Sequence, residues 1–457
     1  MGSAAASSSS SSSRASSSSV GFLPLPCSSF VFFLLILRLL LGGLKRRLHG
    51  YGPRAYPVLG CLVSFFKNKH RLLDWYTELL AASPTQTIVV SRLGAVRTVI
   101  TANPANVEHI LKTNFDNYPK GKPFTDMLGD LLGNGIFNAD GELWHTQRKL
   151  ASHEFTARLL RGIVVGSLEA EMEGRLAPIL GAAADGGQAV DMQELFKRFA
   201  FDNICMISLG MDPGCLEPSM PDRGAAPVPA VWKLKRALGI GSERVLREKM
   251  AIIHNSIMEL INRRKEGQLD GTVIGDDFLS KLISAGYAEE EDTTSSALTW
   301  LFWLLSRYPD VEQKLVEEAT KRKGSLDYQT LKEMTWLEAC LYESMRLYPP
   351  VAWDSKHAAG DDVLPDGIPV SSGTGEKETV KMSAFKYPVF QGGPRVCLGK
   401  EMAFIQMKYV VVSVLRRFQL RPVSSVEPVF VPLMTAHMAG GLRVVVSWRC
   451  LEKSGHQ

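Results

Sequence analysis

The sequence has no C-x-x-C pair, no cluster of histidines and cysteines at metal-ligand spacing, and no dense basic block in its body. Its seven cysteines, an odd number, lie scattered at positions 27, 61, 205, 215, 340, 397 and 450. Such scatter argues against a disulfide framework and suits reduced thiols on the cytosolic side of a membrane. The missing His/Cys cluster argues against a zinc site. A formal net charge of +5 is small for 457 residues, so nucleic acid is not an implied partner. What is present is ordinary for a globular protein: 45% hydrophobic and 22% charged residues, enough chain for one large domain or two smaller ones.

Residues 1–19 are serine-rich, carry only Arg14 as charge and cannot build a core. An acid-free, serine-rich start also looks like an organelle transit peptide. A myristoylation signal is absent, because Ala6 stands where Ser or Thr is needed. The apolar run 20–41 is just long enough to span a bilayer, and Arg38 near its end can reach the interface. Lys45-Arg46-Arg47 then place the body on the cytosolic side. A cleaved secretory signal fits less well, since the run is long and no good cleavage site follows. The expected organisation is a disordered tail (1–19), a single-pass anchor (20–41), a basic, proline-punctuated linker (42–60), one domain over 61–450 and a short tail (451–457).

Within the body, 87–92 and 96–101 alternate like strands around Leu93-Gly94-Ala95, a hairpin signal. Pro104 opens a helix to about Lys112. The Gly-, Pro- and Asn-rich stretch 115–140 reads as a surface or ligand-lining loop. Helix follows over 142–155, with Trp144 and Arg148 sharing one face at i and i+4. Residues 156–285 read as successive helices, with breaks near 184–187 and 211–227. Further helices start at Pro309 and run over 325–347, where Pro349-Pro350 stop the chain. There Glu343 and Arg346 lie three apart among apolar neighbours, which predicts a buried pair. Beta-type runs fill 418–450.

One stretch carries chemistry: Phe390-Gln-Gly-Gly-Pro-Arg-Val-Cys397-Leu-Gly-Lys400. A helix-forming run, 401–415, begins just after it. Cys397 thus sits at a helix mouth, where unpaired N–H groups and the dipole favour a thiolate. A thiolate held this way is a good axial ligand for haem iron. Gly393 and Gly399 would let the loop turn tightly and approach a flat ring, and Arg395 could meet a carboxylate with its planar fork. A lone cysteine ahead of an amphipathic helix is otherwise an ordinary buried thiol.

The pattern F-x-x-G-x-R-x-C-x-G resembles that of the cytochrome P450 haem-thiolate monooxygenases. That resemblance implies a mainly α fold with small β-sheets, haem b as cofactor, Cys397 as iron ligand and Arg395 as propionate partner. Phe390, Gly393 and Gly399 would shape the loop, and Trp144 with Arg148 would hold the propionates as the family's W-x-x-x-R. Glu343 and Arg346 match its structural E-x-x-R. The turn at 434–441 would line the distal pocket, His437 being an ordinary loop histidine. In Asp292-Thr293-Thr294, the acid and first threonine would relay protons to dioxygen. Phe115–Phe124 and Gly135–Trp144 are most similar to the plant fatty-acid ω-hydroxylase clade, which also includes oxidases of jasmonoyl–amino-acid conjugates. The implied reaction hydroxylates a fatty acid or its derivative near the terminal carbon. Electrons would come from an NADPH-cytochrome P450 reductase at the endoplasmic reticulum membrane.

The chain departs from this family twice. Glu289-Glu290-Glu291 stand where an apolar helical run and an Ala-Gly pair should precede Asp292, and charges there cannot lie against a porphyrin cheaply. Between Asp362 and Phe390, a polar run replaces the P-E-R-F-like segment and its arginine. The expectation is therefore an internally truncated fold. It leaves a second reading open, a membrane-anchored, catalytically inactive remnant that binds haem weakly or not at all, and a third, a haem sensor or electron carrier.

Overall fold

A computed structural model describes residues 51–56, 59–92, 97–152, 165–209, 212, 214–216, 291–321, 324–371 and 385–449. The expected tail and anchor, and the readings made over 217–290, lie outside these residues. Among the described residues, no helix is long and apolar enough to cross a membrane.

The first long helix, α1 (Leu72–Ala82), precedes strands β1 (Thr87–Ser91) and β2 (Arg97–Thr101), which pair antiparallel with Val89 opposite Val99. Asn103 then caps a short helical turn by accepting from the Ala105 N–H at 3.0 Å. The next turn, His109–Thr113, widens to a π-helix. Helix α2 (Lys122–Leu132) corrects the expectation of a loop over 115–140. Gly121 and Gly133 bracket it, and Pro123 occupies its first turn, where a missing N–H costs nothing. The residues that read as breakers are this helix's own punctuation.

Helices α3 (Gly141–Ser152) and α4 (Ala177–Gly186) lead to β3 (Ala189–Asp191) and α5 (Met192–Leu209). Next come α6 (Glu291–Arg307), α7 (Pro309–Lys321) and α8 (Thr335–Leu347). Short strands β4 (Asp362–Val363) and β5 (Pro369–Val370) precede α9 (Lys400–Arg417). The chain closes with β6 (Phe418–Pro422), β7 (Phe430–Val431), β8 (His437–Met438) and β9 (Arg443–Trp448). The helices dominate, and β9 lies between β3 and β6 in a three-stranded antiparallel sheet.

The core forms around α9, which is buried from Phe404 through Leu415 and so sits at the centre. Helices α6, α7 and α8 pack against it. Even Lys408 is buried there, its Nζ donating to Glu338 of α8 at 2.7 Å. Trp300 of α6 is fully buried and stacks on Tyr348, with ring centroids 3.9 Å apart and planes 6° from parallel. Phe430 of β7 packs on the same indole, which brings the last hairpin down onto α6. Buried Glu312 accepts from Arg421 and Arg449, tying α7 to the three-stranded sheet.

The Glu343–Arg346 pair forms, but its side chains are 56% and 42% exposed. Arg346 donates from Nε and from a terminal nitrogen to both carboxylate oxygens, at 2.7 and 2.6 Å. Helix α8 turns Leu341, Ser344 and Met345 inward, and at about 100° per residue positions 343 and 346 fall on the opposite face. The expected buried lock is therefore a surface pair, which contributes little.

Glu171 is the costlier acid. One of its oxygens accepts from Arg175 at 2.6 Å, while the buried Oε1 has no partner among the described residues. Burial pushes its carboxyl up to about 7; the Arg175 hydrogen bond and charge oppose this, and the Asp202 and Asp212 charges reinforce it. Between the ordinary carboxylate range and pH 7 the native state holds the extra proton, so this site's contribution to stability falls as pH rises through that window. Glu171→Gln is expected to raise the stability at pH 8 by on the order of 2 kcal/mol. The gain should shrink at pH 5, as read by thermal melting at the two pH values.

Candidate active site

The Cys397 loop is built before α9 begins. Gly392 enters it extended, Gly393–Arg395 form a single 3-10 turn, and the Cys397 N–H donates back to the Phe390 carbonyl at 2.8 Å. Gly399 caps α9, and its carbonyl takes the Ala403 N–H at 2.8 Å. Gln391 adopts φ +62°, an uncommon conformation for a residue with a side chain, and its amide donates to Asp354 at 2.6 Å. At Gly393 glycine serves the tight turn and also a close backbone approach. With φ +63°, it packs against the Leu111 carbonyl, which a Cβ would approach to 2.0 Å. That contact is with the π-helical turn and not with a ligand.

Cys397 lines a cavity of about 340 Å³. Trp144, Arg148, Phe390, Arg395 and Gly399 line it too, as do Thr293 and Thr294 from α6. The side chain of Asp292 lies outside the described residues. Met434 and Thr435 of the β7–β8 turn reach the cavity wall, whereas His437 pairs with Val431 in the strand beyond. Much of the remaining wall is apolar, with Phe124, Leu128 and Leu132 of α2 followed by Ile136 and Phe137.

Helix α3 holds this loop from the side. Arg148 donates to the Val396 carbonyl. Trp144 is 3% exposed, and the Arg395 guanidinium lies 4.4 Å from its ring centroid. One Arg395 terminal nitrogen donates to the Ala139 carbonyl at 2.9 Å and to Asp140 at 2.7 Å. Its Nε is buried with no acceptor among the described residues. Burial pulls the Arg395 pKa down, against the charges of Asp140 and Asp354.

A buried ion cluster forms another part of the wall. Asp354 accepts from Lys120 at 2.7 Å and from Lys356 at 2.6 Å. Burial pushes the Asp354 carboxyl up, but the two lysines together outweigh it and hold it far below the ordinary range. Lys356 is 3% exposed, and burial brings it down to about 7 even with Asp354 beside it. With Arg148 and Arg395, the described cavity wall carries four basic side chains and one carboxylate. That surplus suits anionic groups.

The cytochrome P450 family profile matches residues 51–291, 245–375 and 376–438. Cytochrome P450 94B1 of Arabidopsis thaliana is 51% identical over 466 positions, covering 87% of this chain and 91% of that protein. Cytochrome P450 94A1 of Vicia sativa is 37% identical, covering 87% and 90%. Cytochrome P450 86B1 of Arabidopsis thaliana is 33% identical, covering 86% and 85%. The chain belongs to the cytochrome P450 family. It is a haem-thiolate monooxygenase of fatty-acid-type substrates, with haem b as cofactor and an NADPH-dependent reductase as electron source. The alignment with 94B1 is longer than this whole chain, although only 87% of the chain takes part, so that relative carries segments this cytochrome P450 lacks. The profile also divides at 291 and at 375–376, where the sequence departs from the pattern.

The residues present fit haem b. A cysteine sulfur, apolar walls and a cationic surplus meet in one cavity, and the uncommitted Arg395 Nε belongs to a wall residue. Sequence reasoning missed Lys120, Asp140, Asp354, Lys356 and Gln391. The one local signal was Asp140 immediately before the Gly141 helix start, a position that favours a capping acid. Asp354→Asn would leave Lys356 buried without its counter-charge, and a loss of about 3–5 kcal/mol is expected in denaturant titration. Lys356→Met, which removes the charge itself, should cost less. The stability of the Asp354→Asn chain should itself rise with pH from about 7 toward 10, in parallel with wild type, because there the unfolded chain's lysine sheds its proton as well.

Proposed function

We propose that this cytochrome P450 hydroxylates a long-chain fatty acid, or a fatty-acid-derived substrate, at or near its terminal carbon. The observation that carries the reading is the meeting of Cys397, Arg395 and Thr293 on one largely apolar cavity. When bound, haem b supplies activation of dioxygen and transfer of one oxygen atom to a C–H bond, with two electrons from the reductase. Cys397 holds the iron through a sulfur fixed by the loop, whose own N–H is already spent on Phe390. Arg395, Arg148 and Trp144 hold the propionates. The α2 side chains, with Ile136 and Phe137, take the alkyl chain and exclude water, so that binding energy comes from apolar burial. The Thr293 hydroxyl, with Asp292 beside it in sequence, holds and passes a proton at its Oγ1. A single-pass anchor over residues 20–41 would keep the domain on the cytosolic face of the endoplasmic reticulum, next to the reductase.

A second reading is the inactive remnant, and the segments carried by 94B1 but lacking here favour it. The two separate in one preparation. Full-length chain in membranes is expected to give a thiolate-type Soret band when reduced under carbon monoxide, and Cys397→Ala abolishes it. With reductase, NADPH and a long-chain fatty acid, mass spectrometry should find the terminally hydroxylated acid. Thr293→Ala should cut product about tenfold or more while NADPH consumption continues. A chain that takes up no haem supports the remnant. Haem uptake without oxidised lipid supports an electron carrier or an uncoupled enzyme.

A further inference from the structure

The Arg395 guanidinium is held more firmly than its own loop requires. Its guanidinium carbon lies over the Trp144 ring, and one terminal nitrogen is shared between the Ala139 carbonyl and the Asp140 carboxylate. Asp140 is itself fixed from a second direction. Its Oδ1 also accepts the Lys120 N–H at 2.9 Å, and its Oδ2 accepts the Gly121 N–H at 3.1 Å. One carboxylate therefore joins the Cys397 loop, the entry to α2 and the residue preceding α3. It is not part of the cavity wall, whereas Arg395 is.

A guanidinium clamped on one edge and one face cannot rotate, and its remaining donors keep a fixed direction. Nε is buried and, among the described residues, still without an acceptor. A buried donor left unpaired is costly, so the arrangement has a purpose if an anionic acceptor arrives. We propose that Asp140 is a positioning residue: by gripping one terminal nitrogen of Arg395, it holds the guanidinium so that the Nε donor meets a carboxylate of the cofactor. This rests on the reading that Arg395 meets a haem propionate. Asp140 would act as outer partners of metal ligands do, fixing the orientation of the group that makes the contact.

The test uses the full-length chain loaded with haem. Haem loss is followed by transfer to apomyoglobin, and the reduction potential by spectroelectrochemical titration. Asp140→Asn is expected to release haem roughly tenfold faster. It should also move the potential upward, since a negative charge beside a cavity-wall arginine is removed. The thiolate-type Soret band stays, because Cys397 is untouched. Asp140→Glu keeps the charge, and its potential should return toward wild type; it also serves where the Asn variant does not fold. In an Arg395→Ala background, Asp140→Asn should add nothing to the rate of haem loss. An unchanged rate and potential in Asp140→Asn, or full additivity with Arg395→Ala, overturns the proposal and leaves the functional reading intact. A wild-type chain that never acquires haem overturns both.

Discussion

Burying one guanidinium organises this cytochrome P450. Arg395 has a side chain only 8% exposed, and a charge so placed needs partners on every side it can offer. The Trp144 ring, the Ala139 carbonyl and the Asp140 carboxylate supply those for one terminal nitrogen and one face, from the short stretch around the start of α3. Satisfying Arg395 therefore docks α3 against the Cys397 loop. Arg148 adds a second fastening one turn further on. The Lys120 and Gly121 N–H groups, bound to the same Asp140, bring the entry of α2 to that place. Much of one side of the cavity follows from a single demand for charge compensation.

The cavity is consequently two-sided in character. Helix α2 and the residues after it give an apolar wall suited to hydrocarbon, and α6 contributes Thr293, Thr294 and Ala297. Elsewhere the wall carries the buried Lys120–Asp354–Lys356 cluster and the two arginines. Such a division suits a flat apolar ring with anionic substituents, and it leaves a greasy space for a long chain. Gln391 links the two structural problems, since its strained backbone belongs to the cysteine loop and its amide to Asp354.

What could be read from the sequence was what is local in it. The cysteine loop, the Trp144/Arg148 face and the helix after Cys397 are each set by spacing within a few residues, and their pattern survives in one dimension. Asp140 and Arg395 lie 255 positions apart, and Lys120 and Asp354 lie 234 apart. Neither pairing leaves a local mark. Helix α2 reads as a loop in one dimension because the glycine and proline at its ends look like breakers, whereas in the fold they are its caps and first turn. At Glu343 and Arg346 the apolar neighbours in sequence are real, but a helix sends them to the other face. Proximity along the chain was mistaken for shared environment.

The contact between Gly393 and the Leu111 carbonyl sets a floor beneath the sulfur. The π-helical turn that supplies this carbonyl is not part of the cavity wall, yet it limits how far the loop can recede. The loop is thus backed there by backbone against backbone, and a side chain added at Gly393 would push it off that contact. Losing a segment from 372–384 or from the stretch before α6 leaves that contact in place. A chain shortened at both sites can therefore still present its thiol at the ancestral level.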